Sequence, residues 1–211
     1  MTRPTVILFA RAPRLGAVKR RLARGIGDRA ALRFYAGTLA AVARPIARDA
    51  RWRTLLATTP RGARADWARF APRGTRRVAQ PLGDLGARMA GAMRAHPVAV
   101  LAGTDVPDLR PSDIAAAIRA LGRADAVFGP AEDGGYWLVG MGPRRPARPF
   151  AGVRWSTRHA LADTLRNFAG RRVALLRVLR DVDTAEDLRA RATLPPPRPP
   201  CEPSAPGGPP P

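Results

Sequence analysis

Around residues 100–140 the chain runs through one pattern twice, and few folds accommodate it. Each half opens on a short apolar run, residues 98–102 and then 126–128, passes through small residues, and ends in carboxylates. The first exit reads Gly103-Thr104-Asp105 with Asp108, and the second Gly129-Pro130-Ala131 with Glu132-Asp133. Between them Ile114, Ala117, Ile118 and Leu121 recur at the three-and-four spacing of a helix with one apolar face. In an open α/β sheet, ligands sit outside the carboxyl ends of the strands, so two acidic exits joined by a helix open into one crevice. Small residues let a ligand approach the backbone, and carboxylates there suit a hard divalent cation that bridges to phosphates. One such turn needs only capping to explain it. Two in succession favour a site.

The flanking sequence carries the same alternation. Residues 5–10 read as a buried first strand that runs into a Pro/Gly-punctuated loop, residues 11–22, with Gly16 in it and a helix starting near Lys19. A strand, a glycine-bearing loop and a cation-rich helix start form a candidate phosphate cradle, because helix N-termini expose free N–H groups. The motif is neither a Walker loop nor a GxGxxG. Residues 28–49 predict a long helix with Leu32, Tyr35, Leu39 and Val42 facing the core. Strands are expected at 52–59, 75–80 and 98–102. A helix from about Asp84 carries Leu85, Met89 and Met93 on one stripe and Arg88 near its first turn. Ser112 is the expected cap of the next helix, with Gly122 closing it. Strands at 126–128 and 136–141 follow, joined by the tight turn Asp133-Gly134-Gly135. Residues 143–149, basic and proline-rich, are a candidate lid. Ser156-Thr157 is placed to cap a helix over 159–168, and a last strand is expected at 172–178. Thr184-Ala-Glu-Asp187 forms a capping box for the closing helix. Strands alternating with helices predict a single α/β domain over residues 1–193, its sheet largely parallel. A Pro-rich tail without core-forming residues, 194–211, is expected to be disordered.

Composition narrows the function classes. No apolar run approaches the roughly 20 residues of a membrane span, and residues 5–10 are too short for a signal-peptide core, so a cytoplasmic protein without a membrane partner is expected. The single cysteine, Cys201, leaves no internal disulfide or thiolate metal site, and His96 and His159 are far apart in sequence. The net charge of +21 raises nucleic acid as a partner, since basic groups that neutralise phosphates drive non-specific binding. The arginines are scattered along the whole chain without a basic arm, however, and nucleic acid is not the expected partner. All but one of the 37 basic residues are arginines, and the exception is Lys19. A point-charge ammonium surviving alone among planar guanidinium groups marks a position where the two are not interchangeable.

The segments FARAPRLGAVKRRLA, QPLGDLGARM, VLAGTDVPDL, VFGPAEDGGYWLVGM, GVRWST and LRDVDTAEDL occur in the order found in a family of bacterial glycosyltransferase-like proteins, often described as arsenosugar-biosynthesis glycosyltransferases. The chain resembles this family over about residues 4–191. The resemblance implies the GT-A fold of the nucleotide-diphospho-sugar transferases, a Rossmann-like, mixed and mostly parallel sheet flanked by helices. It implies a nucleotide bound near the first loop and a divalent cation, Mg²⁺ or Mn²⁺, held by the aspartate after the fourth strand, here Asp105. In related nucleotidyltransferases a second ligand heads an NTPEDL-like segment, and DVDTAEDL places Asp183 there. On its own, Asp183 would be a partner for a positive helix end. The sequence has Lys19-Arg20-Arg21 where the family commonly has Lys-Thr-Arg. It also lacks the Gly-Gly-rich loop of the molybdenum-cofactor guanylyltransferases, which argues against that reaction.

The expected activity is metal-dependent transfer from a nucleotide-activated donor, a nucleotide sugar, to a small-molecule acceptor. Lys19 and Arg21, with Arg11 and Gly16, are candidates for the donor phosphates. Gln80, Gly83 and Asp84 are candidates for the base or ribose. Asp105 and Asp183 are the candidate metal ligands, and Asp133 the candidate general base, with turn capping before Gly134 and Gly135 as its bland alternative. Gly134, Gly135, Trp155, Ser156 and Thr157 are assigned to the acceptor side. A nucleotidyltransferase acting on a nucleoside triphosphate is the nearest rival, and a basic nucleic-acid-binding protein the rival from another class. The sequence sets no oligomeric state.

Overall fold

The first strand, β1 (Thr5–Arg11), is apolar throughout its first half, with Val6, Ile7 and Leu8 at most 1 % exposed. A strand covered on both faces reads as such a continuous apolar run. It pairs in parallel on one edge with β2 (Arg53–Thr59) and on the other with β4 (Ala99–Gly103). With β3 (Arg76–Ala79), β5 (Ala126–Pro130), β6 (Tyr136–Met141) and β7 (Val173–Leu175), the sheet runs in the order β3-β2-β1-β4-β6-β5-β7. Only β6 is antiparallel to its neighbours, β4 and β5. The computed structural model describes residues 3–63 and 65–193; the proline-rich tail at 194–211 lies outside them.

Parallel pairs need crossovers, and α1 (Arg20–Ile26), α2 (Asp28–Arg48), α3 (Leu85–Met93), α4 (Pro111–Leu121) and α5 (Ala160–Arg166) lie between strands, with α6 (Ala185–Thr193) after the last of them. On one face of the sheet Tyr35, Leu39, Val42 and Ile46 of α2 and Ile114 and Ala117 of α4 close a core over β1 and β4. On the other, Met89 and Met93 of α3 pack with Phe128, Phe150 and Phe168. Phe128 meets the rings of Tyr136 and Phe168 edge-on. The expected fold class, an α/β domain with a mostly parallel sheet between helices, is the one observed.

Several local expectations change. Ser112 is not the cap of α4. The helix starts at Pro111, whose missing N–H costs nothing there, and the Asp113 carboxylate accepts from the Arg110 N–H at 2.9 Å. The last strand is only three residues long, and beyond it a single bridge joins Ala131 to Leu179. Residues 66–70 make one 3-10 turn, Trp67–Arg69. Residues 143–149 are fastened rather than poised as a lid. Arg145 donates to the carbonyls of Gly142, Met93, His96 and Pro97 at 2.6–3.0 Å. Because β6 runs antiparallel, its exit delivers this loop to the entry of β4, the opposite end from Gly103. The capping box forms as expected. Thr184 N–H donates to Asp187 Oδ2 at 2.8 Å, and Asp187 N–H donates to Thr184 Oγ1 at 3.2 Å.

Gly129 shows how closely the sheet is packed beneath the second acidic exit. A Cβ there would lie 2.3 Å from the Trp137 indole. Gly129→Ala should therefore destabilise the domain by about 1–3 kcal/mol, the usual cost of overpacking a filled core. Urea unfolding checks this, and a midpoint equal to the wild type would show that the indole can give way.

Candidate active site

The crossover from β1 leads to β2 on one edge of the sheet, whereas β4, its other neighbour, continues the chain the opposite way. That reversal leaves a crevice outside the carboxyl ends of the two strands, and a cavity of about 830 Å³ lies there. Three anchors shape its floor. The buried Tyr35 of α2 donates its hydroxyl proton to the Arg11 carbonyl at 2.8 Å and accepts from the Arg11 N–H at 2.9 Å, fixing the exit of β1. Burial pushes the Tyr35 phenol up to about 12. Thr104 Oγ1 donates to the Phe9 carbonyl at 2.9 Å, stitching the exit of β4 to β1.

Lys19 is the third anchor. It stands just before α1 in the left-handed region, φ 44° and ψ 49°, a conformation that costs a non-glycine residue about 1–2 kcal/mol. Its side chain is only 5 % exposed, and the ammonium donates to Asp105 Oδ2 at 3.0 Å and Asp183 Oδ1 at 2.8 Å. Burial by itself would lower the lysine pKa, but the two carboxylates outweigh it and raise it. Beside them Asp181 has a buried Oδ1 with no hydrogen-bond partner among the described residues. Burial first, and then the charge of Asp105, pushes its carboxyl up to about 7, against the pull of Lys19.

This donor set fits a hard divalent ion. Asp105 and Asp183 each spend one oxygen on Lys19, and among the described residues their other oxygens accept no hydrogen bond. Magnesium commonly takes one or two carboxylates and completes its shell from phosphates and water. No group of three or more His, Cys, Asp or Glu among the described residues forms a full protein cage. The cation between the carboxylates is the Lys19 ammonium itself.

The cavity wall includes Arg11, Lys19, Arg21, Gln80, Asp105, Asp133, Gly135, Trp155, Ser156, Thr157 and Asp183. The other expected residues are not brought to it. Gly16 and Gly83 turn the chain at φ 70° and 106°. The Asp84 carboxylate caps α3, accepting from the Ala87 N–H at 2.7 Å, so its oxygen is spent on the helix rather than on a ribose. Gly134 lies under its turn, where a Cβ would be 2.1 Å from the Arg158 carbonyl. Asp133 does make the turn-capping bond, accepting from the Gly135 N–H at 2.9 Å, while still lining the cavity. Lys19 contacts the two aspartates rather than standing free for phosphate. Gln80 is 7 % exposed, and its amide nitrogen donates to the Ala57 carbonyl at 3.0 Å and the Ala10 carbonyl at 3.5 Å. Asp181, Tyr35, Thr104 and Arg88 reach the site without having been singled out for it. Of these, Thr104, in the first acidic exit, and Asp181, two residues before Asp183 in DVD, had a signal in the sequence. On the far wall Trp155 packs against Tyr136 and Phe150. Its segment is held by Asp163, which accepts from the Arg154 N–H at 3.1 Å and from the Arg154 guanidinium at 2.8 and 2.9 Å, and pairs with Arg166.

A mixed sheet of this order, with an acidic crevice where the strand order reverses, is the fold of the GT-A nucleotide-diphospho-sugar transferases and the nucleotidyltransferases related to them. The structure is similar to that of a candidate nucleotide-diphospho-sugar transferase from Desulfovibrio desulfuricans G20, with 29 % identity over 92 % of this chain and 87 % of that one and a TM-score of 0.83. Two more distant structures share the fold. One is 4-diphosphocytidyl-2C-methyl-D-erythritol synthase from Anaerococcus prevotii DSM 20548, at 10 % identity over 90 % of this chain and 96 % of that one, TM-score 0.55. The other is Rv0371c from Mycobacterium tuberculosis H37Rv in complex with manganese, at 19 % identity over 90 % and 97 %, TM-score 0.51. No curated protein sequence matches the chain. Residues 42–157 match the family described as "uncharacterized protein conserved in bacteria (DUF2064)", and the chain belongs to that family.

Two outcomes follow from this geometry. Lys19→Met should lower the melting temperature, because Asp105 and Asp183 are left to repel each other; as both are nearly half exposed, the loss should be about 1 kcal/mol and shrink in high salt. A loss that high salt leaves unchanged would place the cost in packing instead. For Asp163, whose carboxyl the bonds from Arg154 hold below the usual carboxylate range despite burial, the stabilisation is present above the ordinary value of 3.8 and is lost as pH falls through the depressed one. Asp163→Asn should thus melt well below the wild type at pH 7, and the gap should close as the pH drops below about 4. A gap constant with pH would show that the charge is not what holds the loop.

Proposed function

We propose that this chain is a divalent-metal-dependent transferase that takes a nucleotide-activated donor and moves its sugar to a small acceptor. The observation that carries the reading is the convergence of Asp105 and Asp183 on a single cationic point at the strand-order reversal. The similar Desulfovibrio protein is described as a candidate nucleotide-diphospho-sugar transferase, and the manganese of Rv0371c makes Mn²⁺ the ion to try first. Asp105 and Asp183 would hold the ion through their free oxygens, and when bound it would neutralise the departing diphosphate. The Lys19 ammonium keeps the two carboxylates at a common distance. Arg11 and Arg21, on the same wall, add positive charge for the donor phosphates. Asp133, one oxygen tied to its own turn, faces the cavity and would accept the proton of the acceptor hydroxyl as that oxygen attacks the anomeric carbon. The bond from that carbon to the diphosphate breaks, and a nucleoside diphosphate leaves. Trp155, Ser156 and Thr157 form the wall for the acceptor. A basic nucleic-acid-binding role would leave the carboxylates of this cavity without a purpose.

Titration calorimetry of nucleotide sugars and nucleoside triphosphates with and without Mn²⁺ tests the reading. Asp105→Asn and Asp183→Asn should each abolish Mn²⁺-dependent donor binding, and the double variant should be little worse, because residues that act as one unit are not additive. Release of diphosphate from a triphosphate, with no nucleoside diphosphate formed from a nucleotide sugar, would turn the assignment to nucleotidyl transfer. Donor binding indifferent to Mn²⁺ and to both substitutions would remove the metal site.

A further inference from the structure

Arg88 is a cation in the cavity wall without a counter-ion. It sits in the first turn of α3 and lines the same cavity. Its Nη1 donates to Gln80 Oε1 at 3.0 Å, yet its Nε is buried and has no hydrogen-bond partner among the described residues. Among the described residues, no carboxylate forms an ion pair with it. An arginine is always charged in a protein, and a buried donor left unpaired is costly. Gln80 explains why this guanidinium stays in place. Its amide nitrogen is committed to the Ala57 and Ala10 carbonyls, so its oxygen faces Arg88 and takes up Nη1. The edge that remains, Nε and Nη2, is the two-donor fork that matches an oxyanion with parallel hydrogen bonds. The neighbouring wall is apolar, with Phe9, Leu85 and Met89, and low local dielectric strengthens such a pair.

We propose that Arg88 is an anion-recognising residue of the substrate cavity and Gln80 its positioning residue, so that the group seated against the β3–α3 wall carries a phosphate or a carboxylate. This deepens the transferase reading and rests on it in treating the cavity as a substrate site. The assignment also reverses the expected role of Gln80, which orients a ligand-binding side chain rather than binding a base or ribose itself.

The Nε–H resonance of Arg88 reports the site directly. It is assigned through its own side-chain carbons and by its absence from Arg88→Lys, then followed in the intact wild-type protein as sodium phosphate or sodium acetate is added. A saturable shift of this resonance is expected with at least one of the two. Phosphate alone would assign the group to a phosphoryl donor or acceptor, and acetate alone to a carboxylate-bearing acceptor. Gln80→Leu should weaken the responding anion by about tenfold or more, with Arg88 still present. A resonance unmoved by either anion at tens of millimolar would overturn the proposal, and an unchanged affinity in Gln80→Leu would overturn its positioning half. Mn²⁺-dependent nucleotide binding by the wild type, measured in parallel, keeps the two readings apart. Nucleotide binding with a silent Arg88 sinks only the anion site. An Arg88 that responds in a protein binding no nucleotide supports the anion site and removes the transferase.

Discussion

The parallel pairing of β1 on both edges governs everything at the carboxyl end of the sheet. With β2 on one side and β4 on the other, the helices that follow β1 and β4 cannot cover the gap between their exits. The chain must turn away on both sides and leave backbone and side chains open there. Tyr35 and Thr104 then fix the rims by hydrogen bonds to Arg11 and Phe9. Into that fixed gap come residues 19, 105 and 183, from the beginning, middle and end of the domain, joined through one ammonium group. The contact is thus a consequence of topology as much as of charge.

The same region concentrates features that a purely stability-driven sequence would avoid. Lys19 holds a left-handed backbone, Asp181 is buried beside other carboxylates with an unpaired oxygen, and Arg88 has a buried donor without an acceptor. Each is unfavourable in isolation. They share one cavity and their charges are of both signs, so a ligand bearing both a cation and an anion would relieve more than one of them at once. The rest of the domain is conventionally packed, with two apolar cores and glycines such as Gly129 and Gly140 where neighbouring side chains leave no room for a Cβ.

How much of this was legible in the sequence follows from the range of the interactions. Strands and helices were readable because β1 and α2 carry their burial in local periodicity. The acidic exits were readable because glycine and carboxylates follow directly on an apolar run. The start of α4 departs from expectation because Pro111 and Asp113 together cap better than Ser112, a competition that local pattern does not rank. Asp183 entered only through the resemblance of DVDTAEDL to a family segment, since no local signal unites residues 105 and 183. Arg88 is one among dozens of arginines; what distinguishes it is a buried Nε left unpaired among the described residues, a tertiary property. Gln80 was noticed for its place at a strand end, but its commitments to Ala10 and Ala57 depend on the register of three strands.

The charge of the whole molecule and the charges that line its cavity act over different distances. A chain of net charge +21 surrounds itself with a positive potential that draws anions in from beyond contact range and speeds their encounter, an effect that ionic strength erodes within a Debye length of about 8 Å at physiological salt. Close in, the cavity sets Asp105, Asp133, Asp181 and Asp183 among Arg11, Lys19, Arg20, Arg21 and Arg88, so the two signs stand side by side. An approaching polyanion is therefore drawn to the mouth by the molecule as a whole and meets both signs only once inside. Long-range attraction thus gathers anions without choosing among them, and the choice falls to the pairing of charges at contact distance.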